Sequence, residues 1–365
     1  MRAAQVKAFG GPEVLATVEL PDPVPGPGEV LIEVAHADTI FVETQVRTGL
    51  FRAHFPVEPP YVPGGGVAGT VTAVGAGVDA GWVGRRVTSF VAGSYAERVT
   101  APVTAPTPVP DGLDLRTAAA LVHDGVTAAG LLEHTAVGAG DRVLILGASG
   151  GMGTLLIQLA RARGARVVAA ARGARKSALV RELGADAVVD VSAPDWVERA
   201  RQALGRPEPT RAAEAGAEAT TGTTPEAVAG TEPVADTEPV ADAEPVADAD
   251  AAADVVLDGV GGELGLSAFP LTADGGRFSA HGAPSGGFAA VSAAEAERRG
   301  VTLFGIGDVQ FGEAEARRLT AHVLAEATAG RLRPVIGARF PLTEAAAAHA
   351  AIEGRDLIGK VVLDV

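Results

Sequence analysis

The spacing of hydrophobic and polar positions changes along the chain, and the change separates two regions. Over residues 1–120 the apolar residues come in short runs, at 30–34, 66–75 and 86–91, with glycine and proline between them. Such runs predict strands of a small, β-rich, barrel-like domain. From about residue 117 the pattern lengthens. Residues 117–134 are rich in Ala and Leu and predict a helix. Strands are then expected at 141–146, 166–171 and 187–190, alternating with helices at 154–163, 176–183 and 196–204. The strand runs are apolar throughout, as in a sheet covered on both faces, so the alternation predicts a doubly wound parallel sheet.

The alternation stops at 206–252. There Thr231-Glu232-Pro233-Val234-Ala235-Asp236 recurs unchanged at 237–242 and with Ala in place of Thr at 243–248. Proline in every copy opposes helix and the acids discourage strand pairing, so a disordered, low-complexity acidic insertion is expected. Strands resume at 253–258, 276–280 and 301–305, a helix covers 313–329, and a last strand covers 360–364. Three units follow: a first domain at 1–120, rejoined by about 335–365; a parallel-sheet domain at 121–334; and the insertion within it.

Composition refines this picture. The chain has 365 residues and no cysteine, which excludes disulfides, thiolate nucleophiles and Cys-bound zinc. The N-terminal residues lack the apolar core of a signal peptide and no apolar run is long enough to span a bilayer, so a cytoplasmic protein is expected. The net charge of −15 disfavours nucleic acid and anionic membranes as partners. Residues 206–253 hold eleven acids against two arginines, nine of those fifteen charges, so the rest is only mildly acidic.

The chemistry centres on one turn. Gly147, Ser149, Gly150, Gly151, Met152 and Gly153 lie between an apolar strand and a helix. Glycines there let backbone approach a pyrophosphate, and the helix N-terminus offers N–H groups to the anion. An NAD site places an acid at the end of the second strand. Here that strand ends in Ala170-Ala171-Arg172, with Arg175 and Lys176 close behind, which favours the 2′-phosphate of NADP(H). Gly259, Val260, Gly282 and Phe304 fall at or just beyond expected strand ends, where such cofactors are contacted.

These segments resemble the medium-chain dehydrogenase/reductase superfamily, and within it the zinc-free quinone oxidoreductase (zeta-crystallin-like) branch. Matching stretches include Gly11-Pro12-Glu13-Val14-Leu15, Pro27-Gly28-Glu29-Val30, Arg47-Thr48-Gly49-Leu50, Gly125-Val126-Thr127-Ala128, the glycine turn, Leu183-Gly184-Ala185-Asp186 and Gly359-Lys360-Val361-Val362-Leu363. The resemblance implies a GroES-like barrel domain plus a Rossmann domain, with the active site between them. It implies NADPH-dependent, metal-free transfer of hydride to a quinone or an α,β-unsaturated carbonyl compound. Enoyl reduction of thioester substrates and a catalytically weak NADPH-binding sensor are the alternatives.

Zinc-dependent relatives place ligands at positions corresponding to Ile40, Gly65 and His123, two of which cannot bind metal. The branch's Val-Asn-Pro-Val-Asp stretch is Thr39-Ile40-Phe41-Val42-Glu43 here, its tyrosine is Gln45 and its acid after Pro63-Gly64 is Gly66, so a more apolar pocket is expected. Tyr61, His123 and Thr127 are the candidate catalytic residues; Thr127 and Lys360 are expected also to contact cofactor. Tyr95 is expected to be a packing residue. A homodimer paired along the strand at 301–305 is the expected assembly.

Overall fold

The computed structural model describes residues 1–52, 55–205 and 251–365. The expected acidic insertion thus falls, at 206–250, outside the described residues. Strands β1 (Arg2–Val6) and β2 (Leu15–Glu19) form an antiparallel ribbon. β3 (Glu29–Asp38) is followed by helix α1 (Phe41–Thr48), then β4 (Gly66–Val74), β5 (Arg86–Phe90), β6 (Arg98–Pro102) and β7 (Thr107–Pro108). Helices α2 (Leu115–Leu121) and α3 (Asp124–His134) lead into the second sheet. Its strands are β8 (Arg142–Leu146), β9 (Arg166–Ala171), β10 (Ala187–Asp190), β11 (Ala253–Asp258), β12 (Thr272–Ala280) and β13 (Thr302–Phe304). Around them run α4 (Gly151–Ala162), α5 (Gly173–Glu182), α6 (Trp196–Gly205), α7 (Gly262–Ala268), α8 (Ala293–Arg298) and α9 (Glu313–Thr328). The chain closes with β14 (Ile336–Pro341), α10 (Ala345–Glu353) and β15 (Lys360–Asp364).

The second sheet is wholly parallel, in the order β10-β9-β8-β11-β12-β13. Its central strands are buried on both faces: Val143, Leu144, Ile145, Val255, Val256 and Leu257 are inaccessible. The order turns back between β8 and β11, and doubly wound sheets bind ligands at the C-terminal ends of the strands at such a reversal. At the opposite, N-terminal edge, the Arg166 guanidinium donates to the carbonyls of Ala203 and Leu204 at 2.6 and 2.9 Å, which ties the end of α6 to the start of β9. β13 is an edge strand.

The first sheet runs β14-β15-β3-β4-β5-β7, with β6 on the other side of β3. β15 pairs antiparallel with β3, Val362 opposite Asp38, so the last strand does return to the first sheet. Thr39 Oγ1 donates to Val361 O at 2.6 Å and fixes the join.

The expected helix at 117–134 is two helices, broken at Val122 and His123. α2 lies against β3, β4 and β5, whereas α3 lies against α4 and α9. One straight helix cannot follow both sheets, so the bend falls at the seam. α4 begins at Gly151, earlier than the expected 154, because Gly150 is already extended as its cap.

Helix α1 is docked by a buried polar network. The Tyr95 hydroxyl donates to Glu43 Oε2 at 2.5 Å, and the Ile40 N–H donates to the same oxygen at 3.0 Å. The Tyr95 oxygen also lies 3.1 Å from His349 Nε2 of α10. Arg47, fully buried, pairs with Glu353. Tyr95 therefore packs, as expected, but through its hydroxyl as well as its ring. Burial lifts the Glu43 carboxyl to about 7, although the bond from Tyr95 pulls the other way.

A carboxyl whose folded value is raised binds more protons in the native state, so its burial opposes folding increasingly as pH climbs from about 4.5 to about 7. Glu43→Gln is therefore expected to gain stability over the wild type at pH 8 and not at pH 4.5, by up to about 3 kcal/mol. Urea unfolding at the two pH values measures this; equal differences at both would contradict it.

Candidate functional site

The glycine turn leaves β8 at Gly147, whose φ of +69° suits glycine. A Cβ on Gly153 would lie 2.3 Å from Gly147 O, so the first turn of α4 can tuck under the strand end only without a side chain there. The free N–H groups at the start of α4 open onto a cavity of about 330 Å³. The turn is also held from the other sheet, because Gly359 N donates to Ser149 O at 2.8 Å and bridges to Gly150. Gly147, Ser149, Gly150, Gly151, Met152, Gly153, Gly259, Val260 and Lys360 all line this cavity, as the sequence led us to expect. The Asp258 carboxylate shapes the opposite wall by accepting from Val260 N and Gly261 N, each at 2.9 Å.

One end of the cavity is cationic. Arg172 and Lys176 line it together with Arg355, a residue the sequence did not single out. Lys176 Nζ donates to the carbonyl of Arg355, which sits at a positive φ of 58°. Burial, with Arg172 and Arg175 adding to it, pushes Lys176 below the ordinary lysine range, while Asp356 pulls it back. Three cations at one mouth with no acid at the end of β9 fit a dianionic phosphate, and the glycine cradle fits a pyrophosphate.

The other end holds a buried ion cluster. Lys360 Nζ meets Asp38 Oδ1 at 2.5 Å, as a close ion contact rather than a well-aimed hydrogen bond, and Asp124 Oδ2 at 3.0 Å. Asp38 Oδ2 in turn bonds His123 Nδ1 at 2.7 Å. Burial works against the charge on Asp38, but Lys360 and His123 outweigh it and hold that carboxyl below its usual value. Burial and the nearby Asp38 raise Asp124 despite Lys360. Lys360 is held above the usual lysine range by the two carboxylates, against its burial. Asp38 was not legible as a site residue, since it meets Lys360 only through the pairing of β3 with β15 and His123 only where α2 packs on β3.

Beyond this cluster opens a second cavity of about 730 Å³. His123, Thr127, Gly282 and Gln45 line it. Six of the chain's eleven phenylalanines, Phe41, Phe51, Phe55, Phe90, Phe288 and Phe311, also face it, which makes it the aromatic cleft of a chain poor in aromatics. Phe51 and Phe288 meet edge to face at 5.8 Å across it. His281 adds a buried imidazole, which burial holds neutral by lowering it to about 4. The two cavities share Ile40, Phe41, Asp124, Met152, Gly259 and Pro284 as a common wall.

Two expected site residues stand elsewhere. Tyr61 lines neither cavity; its hydroxyl is enclosed without a hydrogen bond, and burial with the nearby Glu43 pushes it to about 12. It faces the Glu43 network behind α1, because its backbone is bridged to Val6 of β1. Phe304 also lines neither cavity; the segment just after β13 reaches the larger one through Ile306 instead.

The three positions corresponding to a catalytic zinc do not form a metal site. Ile40 has no donor, and a Cβ on Gly65 would come within 2.8 Å of His123 Cε1, so no ligand side chain fits beside the ring. His123 Nδ1 is engaged by Asp38. Among the described residues no group of three His, Cys, Asp or Glu could hold a metal, and no helix is long and apolar enough to cross a membrane.

Comparison with known proteins agrees with this fold. Residues 26–111 match the alcohol dehydrogenase GroES-like domain, and residues 229–363 match a family described as zinc-binding dehydrogenase. The chain is 30% identical to a quinone oxidoreductase of Homo sapiens over 368 residues, covering 100% of this chain and 97% of that one. It is 28% identical to a 2-haloacrylate reductase of Burkholderia sp, covering 99% and 98%. A mycobacterial protein solved in complex with NADPH superposes with a TM-score of 0.80 at 31% identity, over the whole of both chains.

Removing the cation of the ion cluster should expose how much the seam depends on it. Lys360→Met is expected to destabilise the protein by about 3–5 kcal/mol, because two buried carboxylates lose their counter-charge. Adding Asp38→Asn should recover part of that loss. Denaturant unfolding of the single and double variants checks both; a loss under about 1 kcal/mol for Lys360→Met would show that the carboxylates find another partner.

Proposed function

The chain belongs to the medium-chain dehydrogenase/reductase superfamily, in its quinone oxidoreductase family, and from that premise we propose that it transfers hydride from NADPH to a planar, apolar acceptor: a quinone or an α,β-unsaturated carbonyl compound. The single observation that carries this reading is the shared wall. A cavity with a phosphate-binding turn at one side and an aromatic cleft at the other meet at Ile40, Phe41, Asp124, Met152, Gly259 and Pro284. The relatives named quinone oxidoreductase and 2-haloacrylate reductase support a carbonyl-conjugated acceptor.

The cofactor is NADP(H), and when bound it supplies the hydride. The glycine turn and the start of α4 would hold its pyrophosphate; Arg172, Lys176 and Arg355 would face its 2′-phosphate. Thr127, Gly259 and Gly282 would flank the reacting end. The phenylalanines of the cleft clamp a flat acceptor and exclude water from it, so catalysis rests chiefly on positioning. With Ile40 and Gly65 at the zinc positions, polarisation of the acceptor carbonyl falls to hydrogen bonds from the protein.

The reading is tested by following NADPH consumption with 9,10-phenanthrenequinone, 1,4-benzoquinone and an aryl enone. Turnover with at least one of them is expected; NADPH binding without turnover on any would remove the enzymatic reading. Arg172→Ala with Lys176→Ala should weaken NADPH about tenfold or more while moving NADH by no more than about twofold. Fluorescence titration of both cofactors measures the difference, and parallel losses would place the phosphate elsewhere.

A further inference from the structure

The break between α2 and α3 puts one imidazole at the boundary of the aromatic cleft. His123 is the last residue before α3, and its ring lines the larger cavity. The ring is fixed on three sides. Phe90 meets it edge on, with centroids 4.7 Å apart. Gly65 and Gly66 leave it room; a Cβ on either would come within 2.8 or 3.1 Å of ring atoms. Asp38, 1% exposed, takes Nδ1 at 2.7 Å.

That last contact decides where the mobile proton sits. A carboxylate can only accept, so Nδ1 carries its hydrogen toward Asp38 in either protonation state. Nε2 makes no hydrogen bond among the described residues and, unlike His281 Nε2, is not enclosed. Lys360, at 2.5 Å from the other Asp38 oxygen, keeps that carboxylate ionised and in place.

We propose that His123, oriented by Asp38, protonates the reduced acceptor from Nε2. This rests on the reading of the larger cavity as the acceptor site. In a quinone, the transferred hydride brings two electrons and leaves a hydroquinone anion. The Nε2–H bond of imidazolium then breaks as the O–H bond forms, leaving neutral imidazole. Once the product has left, water entering the emptied cleft restores the proton. Per turnover the protein takes up one proton from solvent, and NADPH is the only reductant needed. His123 is the catalytic residue in this scheme; Asp38 is a positioning residue, and Lys360 acts through Asp38.

The charged groups facing the ring come from every neighbouring element: Asp38 from β3, Asp124 from α3, Lys360 from β15 and Glu43 from α1. An acid acting at Nε2 is active when protonated, so kcat should fall as pH rises.

The test uses the full chain with saturating NADPH and 9,10-phenanthrenequinone, from pH 5.5 to 9. His123→Gln is expected to lower kcat by roughly a hundredfold, the low end for a lost general acid, and to abolish the fall of kcat at high pH. NADPH affinity, read by fluorescence, should stay within about twofold, since His123 lies outside the phosphate cavity. Asp38→Asn should keep the His123 ring but lower kcat with little change in KM. If His123→Gln does not fold, His123→Asn, whose amide can still donate to Asp38, takes its place with the same expectation. A kcat within about twofold of wild type, or an unchanged high-pH limb in a folded variant, overturns the proposal. Absence of quinone turnover in the wild type would instead remove the acceptor reading, and this role with it.

Discussion

A single lysine has to be neutralised where two sheets meet, and much of the molecule is arranged around that requirement. Lys360 opens the last strand and is 3% exposed. An ammonium so deep in protein is tolerable only beside carboxylates, and Asp38 and Asp124 supply them from a barrel strand and from the first turn of α3. The neighbouring Gly359 meanwhile bonds the phosphate turn. One short stretch of β15 thus joins the first sheet, the bend in the helical connection and the glycine turn. The walls of both cavities take their shape from that junction.

Glycine performs two separate tasks at this seam. Gly147 and Gly153 let backbone lie close to backbone, so the turn can be tight. Gly65 and Gly66 instead leave room for a neighbouring ring. The space beside them is taken by the His123 ring.

Local signals in the sequence were enough for the parallel sheet, the glycine turn and the cationic end of the phosphate cavity, because each is set by residues close together in the chain. The exceptions share a cause. Asp38 becomes a site residue only through the register of β3 with β15, more than 300 positions apart. Arg355 reaches the phosphate cavity through a left-handed residue that no composition rule marks. The bend at Val122 and His123 follows from what α2 and α3 pack against, since the Ala/Leu run itself reads as one helix. Tyr61, expected in the cleft, is turned behind α1 by its bridge to β1. The expected apolar pocket proved aromatic, built from phenylalanines scattered between positions 41 and 311.

The bond from Arg166 to the end of α6 has a bearing on where the chain leaves the parallel sheet. It places Gly205 at the N-terminal edge of the parallel sheet, and β11 starts at that same edge, where Asp254 pairs with Arg142 at the start of β8. Both cavities lie at the opposite edge. The chain therefore leaves the described fold at residue 205 and re-enters it at residue 251 on the edge remote from both cavities.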